Sequence, residues 1–167
     1  MSRIPLRIAL LGDVMLGRSI ERKLSNSDYS GIPLEISAAS LWGPTLTSYL
    51  KTATVRIANL EACLVPAGTL PTKSQKAFKF LAEENHGIAA LKAIDINAVS
   101  LANNHIGDAD IGFVSTPLAL DSAGIAHSGA GPDAAAAWKP SRFIAIDGRV
   151  APKSTRPGAR ASAIQAM

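Results

Sequence analysis

In three stretches of this sequence, a short apolar run is followed at once by side chains that can bind a metal or transfer a proton. These side chains are Asp13, Glu61, Asn104, His105 and Asp108. Carboxylate and amide oxygens are ligands for cations such as Mg²⁺ and Mn²⁺. Such cations clamp a phosphate and activate water, and a neighbouring histidine can protonate a leaving oxygen or stabilise negative charge. The residue types therefore predict a divalent-metal, phosphoryl-transfer site in which Asp108 orients the His105 ring.

Each of these residues also has an ordinary structural interpretation, which is the better one when the residue is taken alone. Asp13 can cap a turn, Glu61 can be an exposed loop acid, and Asn103-Asn104 can be turn residues in the left-handed backbone region. His105 can be a surface histidine. The coincidence of three polar clusters at three predicted strand ends favours a site. We interpret His86 as structural or exposed, His127 as a residue at a strand end without a role, and Cys63 as a small core residue.

The alternation of predicted strands and helices indicates an α/β fold with a mostly parallel sheet. Strands are predicted at 4–11, 54–58, 96–101, 124–127 and 142–147. Helices are predicted at 41–50, 83–94 and from Ser115-Thr116-Pro117 to Gly124, with a loop at 66–77. In parallel sheets, ligands bind outside the carboxyl ends of the strands. We therefore expect the three polar clusters to meet at one edge of the sheet.

Composition and charge exclude several function classes. Hydrophobic residues make up 47% of the 167 positions and charged residues 18%, which is typical of a globular domain. Without residues 151–167 the chain has 14 basic against 13 acidic residues, so we expect no nucleic-acid partner. No apolar run is long enough to span a bilayer, and the cytoplasm is the default location. The single cysteine excludes an internal disulfide.

Four motifs occur in the same order as those of a known family. They are GDVMLGR at 12–18, ANLE at 58–61, SLANNHIGD at 100–108 and GIAHSGAG at 124–131. The sequence from about residue 7 to 150 resembles the capsule-synthesis CapA family. That family is linked to poly-γ-glutamate production and is similar to calcineurin-like metallophosphoesterases. The resemblance implies a metallophosphoesterase-like α/β sandwich and a polyanionic polymer or a phosphate-containing substrate as partner.

The resemblance also implies roles for individual residues. Asp13, Glu61 and Asn104 match metal-ligand positions of the family, and His105 matches its catalytic histidine. Family members are longer, and their later histidines complete the metal site, whereas this chain has no histidine beyond His127. We therefore expect the N-terminal half of the fold only, with the second half missing. We expect Mn²⁺ or Mg²⁺ to be weakly held and activity to be impaired.

The composition changes near residue 150, which divides the chain into two predicted parts. Residues 1–150 would form the partial CapA-like domain. Residues 151–167 have no hydrophobic periodicity and include three basic residues and no acid. Such a segment buries too little apolar surface to offset its ordering entropy. We predict a disordered basic tail, for which a shifted reading frame is one explanation.

Two other functions stay open on the sequence. One is a non-enzymatic accessory role, in which the chain binds the polymer or a partner protein. His105 distinguishes this role from hydrolysis, because only a hydrolase needs that histidine. The other is nucleotide binding through Gly129-Ala130-Gly131, which begins a G-x-G-x-x-A spacing. Against the second, Pro132 removes an amide N–H from the phosphate loop and the helix predicted at 132–138 is short.

Overall fold

The computed structural model describes residues 6–26, 31–73, 75–141, 143–146 and 149–152. Four strands form one parallel sheet, in the order β1-β2-β5-β6. These strands are β1 (Ile8–Val14), β2 (Val55–Leu60), β5 (Ala98–Ser100) and β6 (Ala126–Ser128). The short strands β3 (Cys63–Val65) and β4 (Leu81–Glu83) pair in parallel as a separate small sheet. The predicted α/β class with a mostly parallel sheet is confirmed.

Six helices in the described part of the chain connect these strands. They are α1 (Ser19–Ser25), α2 (Leu34–Ala39), α3 (Pro44–Leu50), α4 (Glu84–Lys92), α5 (Gly112–Ala123) and α6 (Ala134–Ala137). Leu24, Leu91 and Leu120 contribute fully buried side chains from α1, α4 and α5 to one core, which also includes Leu60 of β2. None of these helices is long and apolar enough to cross a membrane, within the residues described.

The edge strand β1 shows the alternation expected of a strand with one covered face. Ala9 and Leu11 pack against the core, while Ile8 and Leu10 are 54% and 78% exposed. The pairing of β1 with β2 is irregular between Leu10 and Asp13, and the pairing then resumes. This strand therefore continues three residues beyond the end of its predicted apolar run, from Leu11 to Val14.

Several predicted boundaries are wrong: the helix predicted at 41–50 begins at Pro44, and the strands predicted at 96–101 and 124–127 are Ala98–Ser100 and Ala126–Ser128. Two further errors concern the first strand and helix α5. The first strand does not end at Gly12-Asp13, because Asp13 is still paired with Asn59 of β2. Helix α5 does not begin at Pro117; it begins at Gly112 and contains Pro117. Gly112 fits there because it has no side chain: a Cβ would lie 2.2 Å from Cys63 Sγ. Gly124 ends the helix in a left-handed conformation, as predicted.

The small sheet is attached to helix α5 by side-chain hydrogen bonds. Thr116 Oγ1 accepts the Leu64 N–H at 2.9 Å, and Ser115 Oγ donates to the Leu64 carbonyl at 2.6 Å. Both backbone groups of the central residue of β3 are thereby bonded to α5. This attachment places β3 and β4 beside the loop that contains His105.

The C-terminal part of the described chain forms an antiparallel pair, β7 (Phe143–Ile146) with β8 (Arg149–Pro152). Ala151 and Pro152, which fall in the predicted tail, lie in β8. Residues 147–148, which separate the two strands, and residues 153–167 of the predicted tail lie outside the described residues.

Candidate functional site

A chain of amide hydrogen bonds joins the polar side chains at the ends of the neighbouring strands. Asn59 Nδ2 donates to Asp13 Oδ1 at 2.8 Å, which links β2 to β1. Asn103 Nδ2 in turn donates to Asn59 Oδ1 at 3.0 Å and to the Leu60 carbonyl at 2.9 Å. The structure thus brings together side chains from β1, β2 and the loop after β5, in agreement with the expected meeting of strand ends.

The Asn103 side chain also shapes the loop that contains the histidine. Asn103 Oδ1 accepts the His105 N–H at 2.9 Å. Among the described residues, only Arg18 and Asp95 of the non-glycine residues have positive φ. Asn104 does lie in a turn, but neither Asn103 nor Asn104 adopts the left-handed backbone, so that part of the interpretation is wrong. Asn103 instead connects the loop to the sheet with two hydrogen bonds, and its third hydrogen bond lies within the loop.

His105 is a buried histidine with a fixed ring orientation. Its Nδ1 lies 2.7 Å from Asp108 Oδ2, and its ring stacks on Phe80 with centroids 4.0 Å apart. The opposite nitrogen, Nε2, lies 3.7 Å from Glu61 Oε1. Nδ1 also lies 3.2 Å from Lys76 Nζ, which can only donate, but the shorter contact is with the Asp108 carboxylate, which can only accept. The shorter contact places the proton of a neutral ring on Nδ1. The lone pair of Nε2 then faces Glu61.

Asp108 is surrounded by hydrogen-bond donors although its side chain is only 1% exposed. Lys76 Nζ donates to Oδ1 at 2.6 Å, and the Phe80 N–H donates to Oδ2 at 2.6 Å. Burial raises the pKa of the Asp108 carboxyl, but the hydrogen bonds from Lys76, Phe80 and His105 outweigh it. The pKa of Asp108 is therefore lower than usual, and the ionised form is the stable one.

The predicted metal ligands are oxygen donors spread along the strand ends. Glu61 directly follows β2, and the Asp13 carboxylate is held by Asn59. Asn104 is exposed, and its backbone carbonyl accepts a hydrogen bond from Lys76 Nζ at 2.7 Å. Within the described residues, Asp13 and Glu61 belong to no group of three His, Cys, Asp or Glu with ligand atoms within 4.8 Å. This donor set fits a hard cation only if water completes its coordination.

Sequence reasoning missed the two residues that hold Asp108 and His105 from the other side. Lys76 and Phe80 come from the segment between β3 and β4, which contains no helix or strand in its described part. Neither residue has a spacing signal in the sequence, because the segment has no periodicity. Their contribution depends on a contact across 28 to 32 positions of the chain.

A second group of ligand-type side chains lies away from the strand ends and was also missed. Glu21 in α1, Glu83 in β4 and His86 in α4 have ligand atoms within 4.8 Å of one another. His86, interpreted from the sequence as structural or exposed, is fully buried. His127 lies within β6 and its Nε2 is 3.1 Å from Asp121 Oδ1, whereas Cys63 is a buried thiol, as predicted.

The comparisons with known proteins identify the family. A family model described as bacterial capsule synthesis protein PGA_cap matches residues 7–157. The chain belongs to this family. Its function is accordingly associated with capsule synthesis, and the resemblance to capsule-synthesis proteins is confirmed. The family match includes all the strand-end residues, from Asp13 to Asp108. No curated protein matches the sequence.

Proposed function

We propose that this capsule-synthesis protein uses its strand-end site for metal-assisted hydrolysis of a phosphoester, in a phosphate-containing substrate of capsule assembly. The observation that supports this most directly is the His105–Asp108 pair beside Glu61. A histidine that is oriented by a buried carboxylate and faces another acid is the arrangement expected of a proton-transfer group.

The chain's own residues fix how His105 would act. Asp108 accepts from Nδ1 at 2.7 Å, and the Phe80 ring stacks on the imidazole. Both contacts restrain the ring, so the proton is held or released at Nε2. That atom faces the strand ends, where Glu61 lies 3.7 Å away. In its protonated form, Nε2 donates to a leaving oxygen; in its neutral form it accepts a proton from water.

The oxygen donors at the strand ends would hold the cation. Asp13, Glu61 and Asn104 are the proposed ligands, and Mn²⁺ or Mg²⁺ suits such oxygen donors. When bound, the cation would polarise a phosphoryl oxygen and lower the pKa of bound water. With one Asp, one Glu and one Asn, binding is expected to be weak. Asn59 keeps the Asp13 carboxylate in place through the 2.8 Å hydrogen bond.

A phosphodiesterase assay tests the proposal. Purified protein is incubated with bis-p-nitrophenyl phosphate and Mn²⁺, and the release of nitrophenolate is measured. The His105→Ala variant is expected to lose about 10²- to 10⁴-fold in rate, the usual contribution of a general acid or base. His127→Ala, which alters a histidine of β6, is the matched control and should keep the wild-type rate. Equal rates for His105→Ala and wild type would contradict the proposed role.

A second candidate function is a non-enzymatic one, in which the chain binds a polyanionic capsule polymer or a partner protein. The observation that favours it is the spacing of Asp13 and Glu61, which form no compact three-acid or acid–histidine group in the described residues. Polymer production in a host that carries the His105→Ala variant separates the two functions. Unchanged production favours the accessory role, and lost production favours hydrolysis.

A further inference from the structure

The side chains of Glu21, Glu83 and His86 form a compact group that the proposed phosphoester site does not use. Their ligand atoms all lie within 4.8 Å of one another, and one pair, His86 Nδ1 and Glu21 Oε1, is 2.7 Å apart. The three residues come from three different elements, α1, β4 and α4. From this geometry we propose that Glu21, Glu83 and His86 form a second metal site, selective for a divalent transition metal such as Zn²⁺.

The donor set decides which metal fits. One imidazole nitrogen and two carboxylates match the ligands of Zn²⁺ and similar ions, whereas Mg²⁺ and Ca²⁺ prefer oxygen donors alone. Two carboxylates and a neutral imidazole also balance the charge of a divalent cation.

The movements needed to bind the ion are small. Metal–ligand bonds of about 2.0–2.2 Å place the ligand atoms of a tetrahedral site about 3.4 Å from one another. The 2.7 Å contact between His86 and Glu21 would widen, and atoms nearer 4.8 Å would approach. The two glutamates are half-buried and reach the ion by rotation about their side-chain bonds, while His86 is fully buried and stays in place. Water would complete the coordination.

The existing hydrogen bonds already orient Glu21 toward this position. Glu21 Oε2 accepts the Glu83 N–H at 3.2 Å, and Oε1 accepts from Ser25 Oγ at 3.1 Å. Ligating carboxylates in metal sites are commonly held by such additional donors. Ser25 lies one turn from Glu21 on α1, so the same helix supplies both the carboxylate and a donor that orients it.

Metal binding here would strengthen the support of the His105 ring. Glu83 lies three residues after Phe80, whose ring stacks on His105 and whose N–H donates to Asp108. A bound ion would fix α1 and α4 to β4 and thereby restrain this segment. The role is therefore structural, and the inference does not depend on the proposed phosphoester hydrolysis.

Calorimetric titration with Zn²⁺ tests the site in the full chain. The titration uses the Asp13→Asn/Glu61→Gln double variant, which removes the carboxylates of the strand-end site. One equivalent of Zn²⁺ is expected to bind, also in excess Mg²⁺, and to raise the thermal unfolding midpoint. Adding Glu83→Gln should weaken Zn²⁺ binding by more than about tenfold. Glu84→Gln, a change at the neighbouring residue of α4, is the matched control and should leave binding unchanged.

Cobalt gives a second readout of the same site. Co²⁺ in a site of low coordination number with a nitrogen donor absorbs visible light, and this absorption should be lost in Glu83→Gln but kept in Glu84→Gln. Circular dichroism of the metal-free variants checks that each has folded. The proposal is overturned if the double variant binds no Zn²⁺, or if Glu83→Gln binds it as tightly as its parent.

Discussion

Lys76 Nζ lies 2.6 Å from Asp108 Oδ1, although 32 positions of sequence separate the two residues. The ammonium group also donates to the Asn104 carbonyl at 2.7 Å. It thus connects the segment before β4 to two points of the loop that contains His105. Because the Asp108 side chain is buried and Lys76 is only about one-quarter exposed, this contact is less screened by solvent than a surface ion pair.

The first prediction concerns Asp108→Asn. The variant loses the negative charge that accepts from Lys76, Phe80 and His105, so we expect the free energy of unfolding at pH 7 to fall by about 1–3 kcal/mol. The pKa of Asp108 in the folded protein is lowered from its usual value. The ionised carboxylate therefore contributes stability above the unfolded-state pKa of about 3.9, and this contribution is lost as the pH falls through the lower folded-state value.

Urea unfolding at a series of pH values measures this effect. The stability difference between wild type and Asp108→Asn should be full near pH 7 and should narrow as the pH falls below about 4. Asp110→Asn changes an exposed carboxylate two positions away and serves as the control. If the stability difference between wild type and Asp108→Asn stays constant down to the lowest accessible pH, the assignment of an ionised Asp108 carboxylate is contradicted.

A second prediction concerns Asn103, whose amide joins the His105 loop to β2. Asn103→Ala removes hydrogen bonds to Asn59, to the Leu60 carbonyl and to the His105 N–H. We expect a loss of about 1–3 kcal/mol, because a half-buried carbonyl and an N–H lose their partners. Chemical denaturation measures the loss, with the exposed Asn85→Ala as control. A loss no larger than that of Asn85→Ala would show that the loop does not depend on this amide.

A third prediction follows from the close approach of helix α5 to the small sheet. A Cβ at Gly112 would lie 2.2 Å from Cys63 Sγ and 2.3 Å from the Ile106 carbonyl oxygen. Gly112→Ala should therefore lower the unfolding free energy by about 1–3 kcal/mol or more, since backbone has to move. Gly12→Ala is the control, because nothing lies within 4 Å of a Cβ at that position. Similar thermal midpoints for the two variants would contradict the close packing at Gly112.

Much of the main sheet could be predicted from the sequence, because apolar runs bounded by turn residues identify its strands. The same reasoning placed Asp13, Glu61 and the 99–108 stretch near one edge, since parallel strands end on the same side. The three-residue strands β3 and β4 could not be predicted. The position of β3 depends on contacts that exist only in the folded chain, such as the hydrogen bonds of Leu64 to α5.

The partners of His105 also include one that the sequence could predict and two that it could not. Asp108 could be predicted because it lies three positions from His105, in one loop. Lys76 and Phe80 could not, because their segment lacks periodicity and reaches the loop only in the folded chain. The start of α5 was misplaced for a related reason. Pro117 is a typical first residue of a helix, but the packing of Gly112 against Cys63 and Ile106 allows the helix to begin earlier.

The last prediction concerns the hydroxyl of Thr116, which is fully buried and accepts the Leu64 N–H at 2.9 Å. Thr116→Val keeps the shape of the side chain but leaves this buried N–H without its acceptor, so we expect a loss of about 1–3 kcal/mol. Ser122→Ala is the matched control: its hydroxyl donates to the Leu118 carbonyl on an exposed part of α5, and its removal should change stability by less than about 0.5 kcal/mol. Hydrogen exchange then localises the effect. The Leu64 amide should exchange faster in Thr116→Val, whereas the amides of β1 and β2 should change only as far as global stability does. Unchanged protection at Leu64 would mean that β3 is held by its pairing with β4 and not by α5.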